Sequence, residues 1–132
     1  MLTRQFRLPA YMNGHPNGML IEAAAGLLDG EDPAAAIRRE AEEETGLRVG
    51  DVEHVYDVYM SPGSVTERLS FFAARYTARD RVSEGGGIAD ESEEIEVLEL
   101  PIDDALRMIE TGEIVDGKTI MLLQWAQLNR LA

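Results

Sequence analysis

Asp32-Pro33-Ala34-Ala35-Ala36-Ile37-Arg38-Arg39-Glu40-Ala41-Glu42-Glu43-Glu44-Thr45-Gly46-Leu47 carries its own start and stop signals. Asp32 is a plausible N-cap, Pro33 suits the first helical position, and Gly46 followed by Leu47 supplies a C-terminal stop. The spacing predicts a helix over Pro33 to Thr45. Within it Ala34, Ile37 and Ala41 fall at i, i+3 and i+7 and are expected to face the core, with Glu40, Glu43 and Glu44 on another face. Glu40 and Glu44 stand one turn apart. Like charges at that spacing destabilise a helix by about 0.2–0.5 kcal/mol, and acids near a helix C-terminus oppose the backbone dipole. Arg38 and Arg39 compensate in part. A dication reverses the sign, because carboxylates converging from one rigid face form an oxygen cage for magnesium or manganese. Charge alone also fits a plainer reading, a solvated acidic face in an acidic protein.

Outward from this helix, Leu2 to Leu8 alternates apolar and polar and reads as a strand, and Pro9 and Asn13 to Gly18 form a turn-rich connection. Met19 to Ala25 is a short apolar run broken only by Glu22 and punctuated by Gly26 to Gly30. Downstream, Val52 to Met60 and Leu69 to Tyr76 flank Ser61-Pro62-Gly63-Ser64, which suggests antiparallel strands joined by a loop. Arg79 to Glu94 is polar, with Gly85 to Gly87 and the acids Asp90, Glu91, Glu93 and Glu94, a composition that argues against stable order. A strand at Ile95 to Leu100 and helices near Ile102 to Glu110 and Lys118 to Arg130 complete the chain. Strands and helices are interspersed without strict βαβ repetition. The expected fold class is therefore α/β, a mixed β-sheet sandwiched between α-helices.

At 132 residues the length suits a single domain, 1–132. The 25 acidic residues against 12 basic ones give a net charge of −13, which repels a phosphate polymer, so no nucleic-acid partner is expected. With no cysteine, thiolate metal sites are excluded and a bound metal should be a hard, oxygen-preferring ion. No apolar run reaches spanning length and Met1 to Arg7 lacks a signal-peptide core, so a cytoplasmic protein without a membrane partner is expected. Gly112 to Thr119 matches the P-loop expression, but helical periodicity precedes it and Glu113 and Asp116 lie inside it, a poor phosphate cradle. His15 and His54 sit in unrelated contexts and are read as incidental.

Glu31 followed by Arg39-Glu40-Ala41-Glu42-Glu43-Glu44-Thr45-Gly46-Leu47 resembles the signature of the Nudix hydrolases: Glu, seven residues, Arg-Glu, an apolar residue, any residue, Glu-Glu, any residue, Gly, and an apolar residue. The leading glycine of the signature would fall at Ala25, whereas here Gly26 follows it, so the loop is one residue tighter. Arg4 to Arg7, Glu22 to Asp29, Tyr59 to Gly63, Ile95 to Pro101 and Thr111 to Thr119 are similar to the branch of GDP-mannose pyrophosphatases, related to the ADP-ribose pyrophosphatases. The resemblance implies a Nudix fold and hydrolysis of a nucleoside diphosphate sugar that depends on Mg²⁺, with Mn²⁺ as the alternative ion, and with GDP-mannose ahead of ADP-ribose. A nucleotide-sugar-binding module without turnover is the competing class. The resemblance implies Glu40, Glu44, the carbonyl of Ala25 and Glu93 as metal ligands, and Glu91 as general base, with Asp90 and Glu94 as adjacent competitors. It also implies that Arg7, Glu67 and Lys118 contact substrate and that the protein is a homodimer. Carboxylates beside a metal often act through its ligands, so Glu43 is expected to orient Arg39 or to support the metal shell, with Arg39 structural. Members of that branch carry a further N-terminal subdomain ahead of the segment matching Arg4, which this chain is expected to lack.

Overall fold

A computed structural model describes residues 1–89 and 94–129. Three strands form an antiparallel sheet in the order β2-β1-β5, with β1 at Leu2–Phe6, β2 at Met19–Glu22 and β5 at Glu96–Leu98. Thr3 lies opposite Glu22 on one side and Val97 on the other, so β1 is the central strand. A second, two-stranded sheet is the hairpin of β3 (Val52–Tyr59) and β4 (Arg68–Ala74), bent by a bulge between His54 and Tyr56. The expected α/β class is observed, and every strand pairing among the described residues is antiparallel.

Among the described residues four α-helices accompany the strands: α1 (Leu8–Met12), α2 (Pro33–Thr45), α3 (Ile102–Glu110) and α4 (Gly117–Leu128). Leu2, Ile21, Ala105 and Ile114 are buried together, with Ile109, Ile120 and Leu123 packed around them, so α3 and α4 seal the three-stranded sheet. Ile114 is only 1% exposed, and full burial of such a side chain stabilises by about 1.5–3 kcal/mol. Among the described residues no helix is long and apolar enough to cross a membrane.

Three expectations change in detail. Pro9 starts a short helix instead of ending strand structure in a loop, because proline in a first helical turn gives up an N–H that has no helical partner anyway. The apolar run Met19 to Ala25 is strand only as far as Glu22, since the Ala23 N–H donates to Thr119 Oγ1 at 2.8 Å and leaves the ladder. Gly85 to Gly87 are not a loose connection. The N–H groups of Gly86 and Gly87 donate to the carbonyls of Glu44 and Glu43 at 2.9 and 3.0 Å, capping the last turn of α2. All three glycines have positive φ, and a Cβ on Gly85 would lie 2.6 Å from the Glu44 carbonyl oxygen. Only glycine brings the backbone that close.

Candidate active site

The ends of α2 behave as their sequence dictates. Asp32 Oδ2 accepts the Ala35 N–H at 3.1 Å, and Gly46 terminates the helix at φ 75°, the left-handed conformation of a glycine stop. The buried stripe, however, is rotated from the expected one: Ala34, Ile37 and Ala41 are half-buried, whereas Ala36, Glu44 and Thr45 are buried. Ala36, Glu40 and Glu44 follow one another at i+4, so the two glutamates lie on the inward face of the helix. Glu44 is 5% exposed, which removes the solvated-face reading for this residue. That reading does describe Glu42, whose half-exposed side chain pairs bidentately with Arg48 at 3.0 and 2.9 Å.

The loop after β2 lies directly on these carboxylates. Ala25 donates its N–H to Glu44 Oε2 at 3.2 Å, and a Cβ built on Gly26 would fall 2.1 Å from Glu40 Cδ. Glycine at 26 is therefore what lets the Ala25 backbone press against Glu40 and Glu44. Arg39 offsets the crowded charge from the outer side. Its Nε and Nη2 donate to Glu31 Oε1 at 3.1 and 2.8 Å, and its Nη1 lies 2.8 Å from Glu40 Oε1 and 3.1 Å from Glu43 Oε2. The hydrogen bond to Glu31, reinforced by Glu40 and Glu43, raises the Arg39 pKa above its ordinary value. Of the two roles expected of Glu43, the contact with Arg39 is present in this geometry.

A second charged cluster joins three distant elements. Arg7 Nε and Nη2 donate to the two oxygens of Glu22, each at 2.8 Å, and Lys118 Nζ donates to Glu22 Oε2 and Asp116 Oδ2, each at 3.0 Å. Asp116 caps α4 by accepting the Thr119 N–H at 3.1 Å and its hydroxyl at 2.6 Å, and Thr119 Oγ1 accepts the Ala23 N–H. Glu22 is buried. Burial alone would raise its pKa, but the hydrogen bond from Arg7 and the charge and hydrogen bond of Lys118 outweigh it, leaving Glu22 below the ordinary carboxylate value.

A cavity of about 250 Å³ opens beside the first cluster, lined by Ala25, Gly26, Glu40, Arg68, Phe71 and Lys118 among others. The structure thus brings together Ala25, Glu40 and Glu44, and separately Arg7 and Lys118, with Lys118 reaching the cavity wall. Glu67 is exposed in the connection before β4 and is not in the cavity lining, although its neighbour Arg68 is. Glu91 and Glu93, with Asp90, lie outside the described residues. Sequence reasoning missed Glu22 as a site residue; its one signal was a lone charge interrupting the apolar run Met19 to Ala25. The P-loop expression resolves into the connection between α3 and α4, with Lys118 held by carboxylates. His15 Nδ1 accepts a turn N–H from Gly18, and His54 pairs with Asp57 on the surface.

Two carboxylates one turn apart, with a loop backbone pressed onto them through Gly26, are a hard-oxygen donor set that suits a divalent cation. Among the described residues no group of three His, Cys, Asp or Glu side chains gathers in metal-holding geometry, so these residues supply part of a ligand set. The chain is 60% identical over 126 residues to a GDP-mannose pyrophosphatase of Pectobacterium atrosepticum, covering 96% of this chain and 64% of that protein. A GDP-mannose pyrophosphatase of Yersinia enterocolitica is 54% identical over 131 residues, covering 99% of this chain and 68% of its own length, and one of Escherichia coli O157:H7 is 53% identical over the same span. The chain therefore spans about two thirds of the length of these curated relatives. The NUDIX domain profile matches residues 1–123, and because that match takes in nearly the whole chain, α2 and its inward glutamates included, the chain belongs to the Nudix family.

Proposed function

We propose that this chain hydrolyses the pyrophosphate linkage of a nucleoside diphosphate sugar, GDP-mannose first, to GMP and mannose 1-phosphate. The observation that carries the reading is the inward pair Glu40 and Glu44, set against the Ala25 backbone at a cavity wall. The names of the relatives support GDP-mannose as the substrate. A divalent ion, Mg²⁺ or Mn²⁺, held by Glu40, Glu44, the Ala25 carbonyl and Glu93, would neutralise charge on the pyrophosphate oxygens and acidify an attacking water.

The chain's own residues do the rest. Glu91 takes the water's proton as general base, from the segment that follows the glycine cap of α2. Lys118 and Arg7 receive phosphate or sugar oxygens, and Glu67 meets the substrate from the hairpin connection. Arg39 holds Glu43 and screens the outer side of the acidic helix, so that Glu40 and Glu44 keep their inward aim. A cytoplasmic homodimer is the form in which we expect the enzyme to work.

Glu44→Gln tests the reading. It keeps the acceptor for the Ala25 N–H while removing the charge, so turnover of GDP-mannose with Mg²⁺ should fall at least about 100-fold with the fold intact by circular dichroism. Wild-type protein that releases no phosphate-containing product from GDP-mannose or ADP-ribose would refute it.

A further inference from the structure

The cations expected at the substrate do not stand alone: both are tied to one buried carboxylate. Arg7 leaves the end of β1 and Lys118 starts α4, and Glu22 at the end of β2 receives both. Lys118 borders the cavity, while Arg7 is joined to it through Glu22. We infer that Glu22 is a positioning residue, which sets Arg7 and Lys118 side by side as a single receptor for the pyrophosphate of the substrate. The inference rests on the proposed hydrolase reading but adds a residue that the reading does not use.

Three arguments carry it. Glu22 is 3% exposed and spends both oxygens on the two cations, so neither can move without disturbing the other. Its neighbour in sequence, Ala23, is fixed by Thr119, and Ala25 by Glu44, so the segment after Glu22 ties the cation pair to the carboxylate pair on α2. Finally, two cations brought together without an anion repel each other, and a buried carboxylate between them removes that repulsion before substrate arrives.

The test exploits a difference in sign. Were Glu22 only a background negative charge, Glu22→Gln would strengthen binding of an anion; as a positioning residue, its loss disperses the cations and weakens binding. Inorganic pyrophosphate titrated calorimetrically into the full chain at low ionic strength with EDTA reads this without turnover, so failure of the hydrolase reading is seen separately in the GDP-mannose assay. The expected result is binding to wild type, weakened about fivefold or more in Glu22→Gln, with KM for GDP-mannose raised and kcat nearly unchanged. Asp116→Asn is the second variant, since asparagine still caps α4 while Lys118 loses one of its two anchors. Its expected loss is about two- to threefold. Absence of pyrophosphate binding by wild type, tighter binding by Glu22→Gln, or an unchanged KM in both folded variants each overturns the inference.

Discussion

Gly26→Ala separates the geometry of the site from the stability of the fold. The new Cβ would lie 2.1 Å from Cδ and Oε1 of Glu40 and 2.6 Å from its Cγ, all well inside the 3.4 Å at which ordinary contact begins. The three nearest atoms all belong to one flexible side chain, so Glu40 can yield by rotating. Leaving its preferred rotamer costs about 0.5–1.5 kcal/mol, and Tm should fall by only about 2–5 °C. The rotation also breaks the 2.8 Å contact with Arg39 and carries the carboxylate about 1 Å or more from its place beside Ala25. Misplacement on that scale at a reacting centre costs about 100-fold in rate, or about 2.7 kcal/mol. Hydrolysis of GDP-mannose with Mg²⁺, read as phosphate after alkaline phosphatase treatment of the products, should show that loss while calorimetry shows the modest drop in Tm. Retention of kcat/KM within about threefold, or collapse of the fold together with activity, would refute the reasoning.

The remaining expectations concern stability. Gly85→Ala places a side chain at φ 71° and drives its Cβ to 2.6 Å from a backbone oxygen that cannot rotate away, so chemical denaturation should show a loss of about 2–4 kcal/mol from strain and the displaced Gly86 and Gly87 bonds. Arg39→Ala removes the counterion of Glu31, Glu40 and Glu43; because Arg39 is 38% exposed, Tm should drop only about 2–5 °C, and Mg²⁺ should then raise Tm more than it does in wild type. For Glu22, the folded pKa lies below the ordinary 4.5, so the unfolded chain binds the proton more readily and stability rises with pH. The contribution is complete above about pH 4.5 and is lost as pH falls through the folded value; denaturation from pH 3 to 7 should show this slope in wild type and a shallower one in Glu22→Gln.

What was legible in the sequence is what depends on near neighbours. Helix α2 could be bounded because Asp32, Pro33 and Gly46 act within one turn of the residues they cap. The acidic spacing singled out Glu40 and Glu44, the family resemblance added Ala25, and in the structure these three lie against one another. The inward turn of Glu44 was not legible, since helical periodicity assigns carboxylates to the wet face and cannot see that the loop after β2 folds over them. Glu22 was illegible for a similar reason: its partners Arg7 and Lys118 lie 15 and 96 positions away. Gly85 to Gly87 read as looseness because glycine marks both freedom and close approach, and only the end of α2 decides which applies. Pro9 signals a break in a strand and a start in a helix, and only its place in the first turn of α1 decides between them.

The hydrogen bond from the Ile95 N–H to the Gly86 carbonyl, at 3.3 Å, joins the two ends of the acidic stretch to each other just where Gly86 and Gly87 grip α2. Three backbone bonds thus meet at one tripeptide: two hold the carbonyls of Glu43 and Glu44, and the third holds the residue that leads into β5. A shift of Gly86 would therefore be felt at the last turn of α2 and at the edge of the three-stranded sheet together.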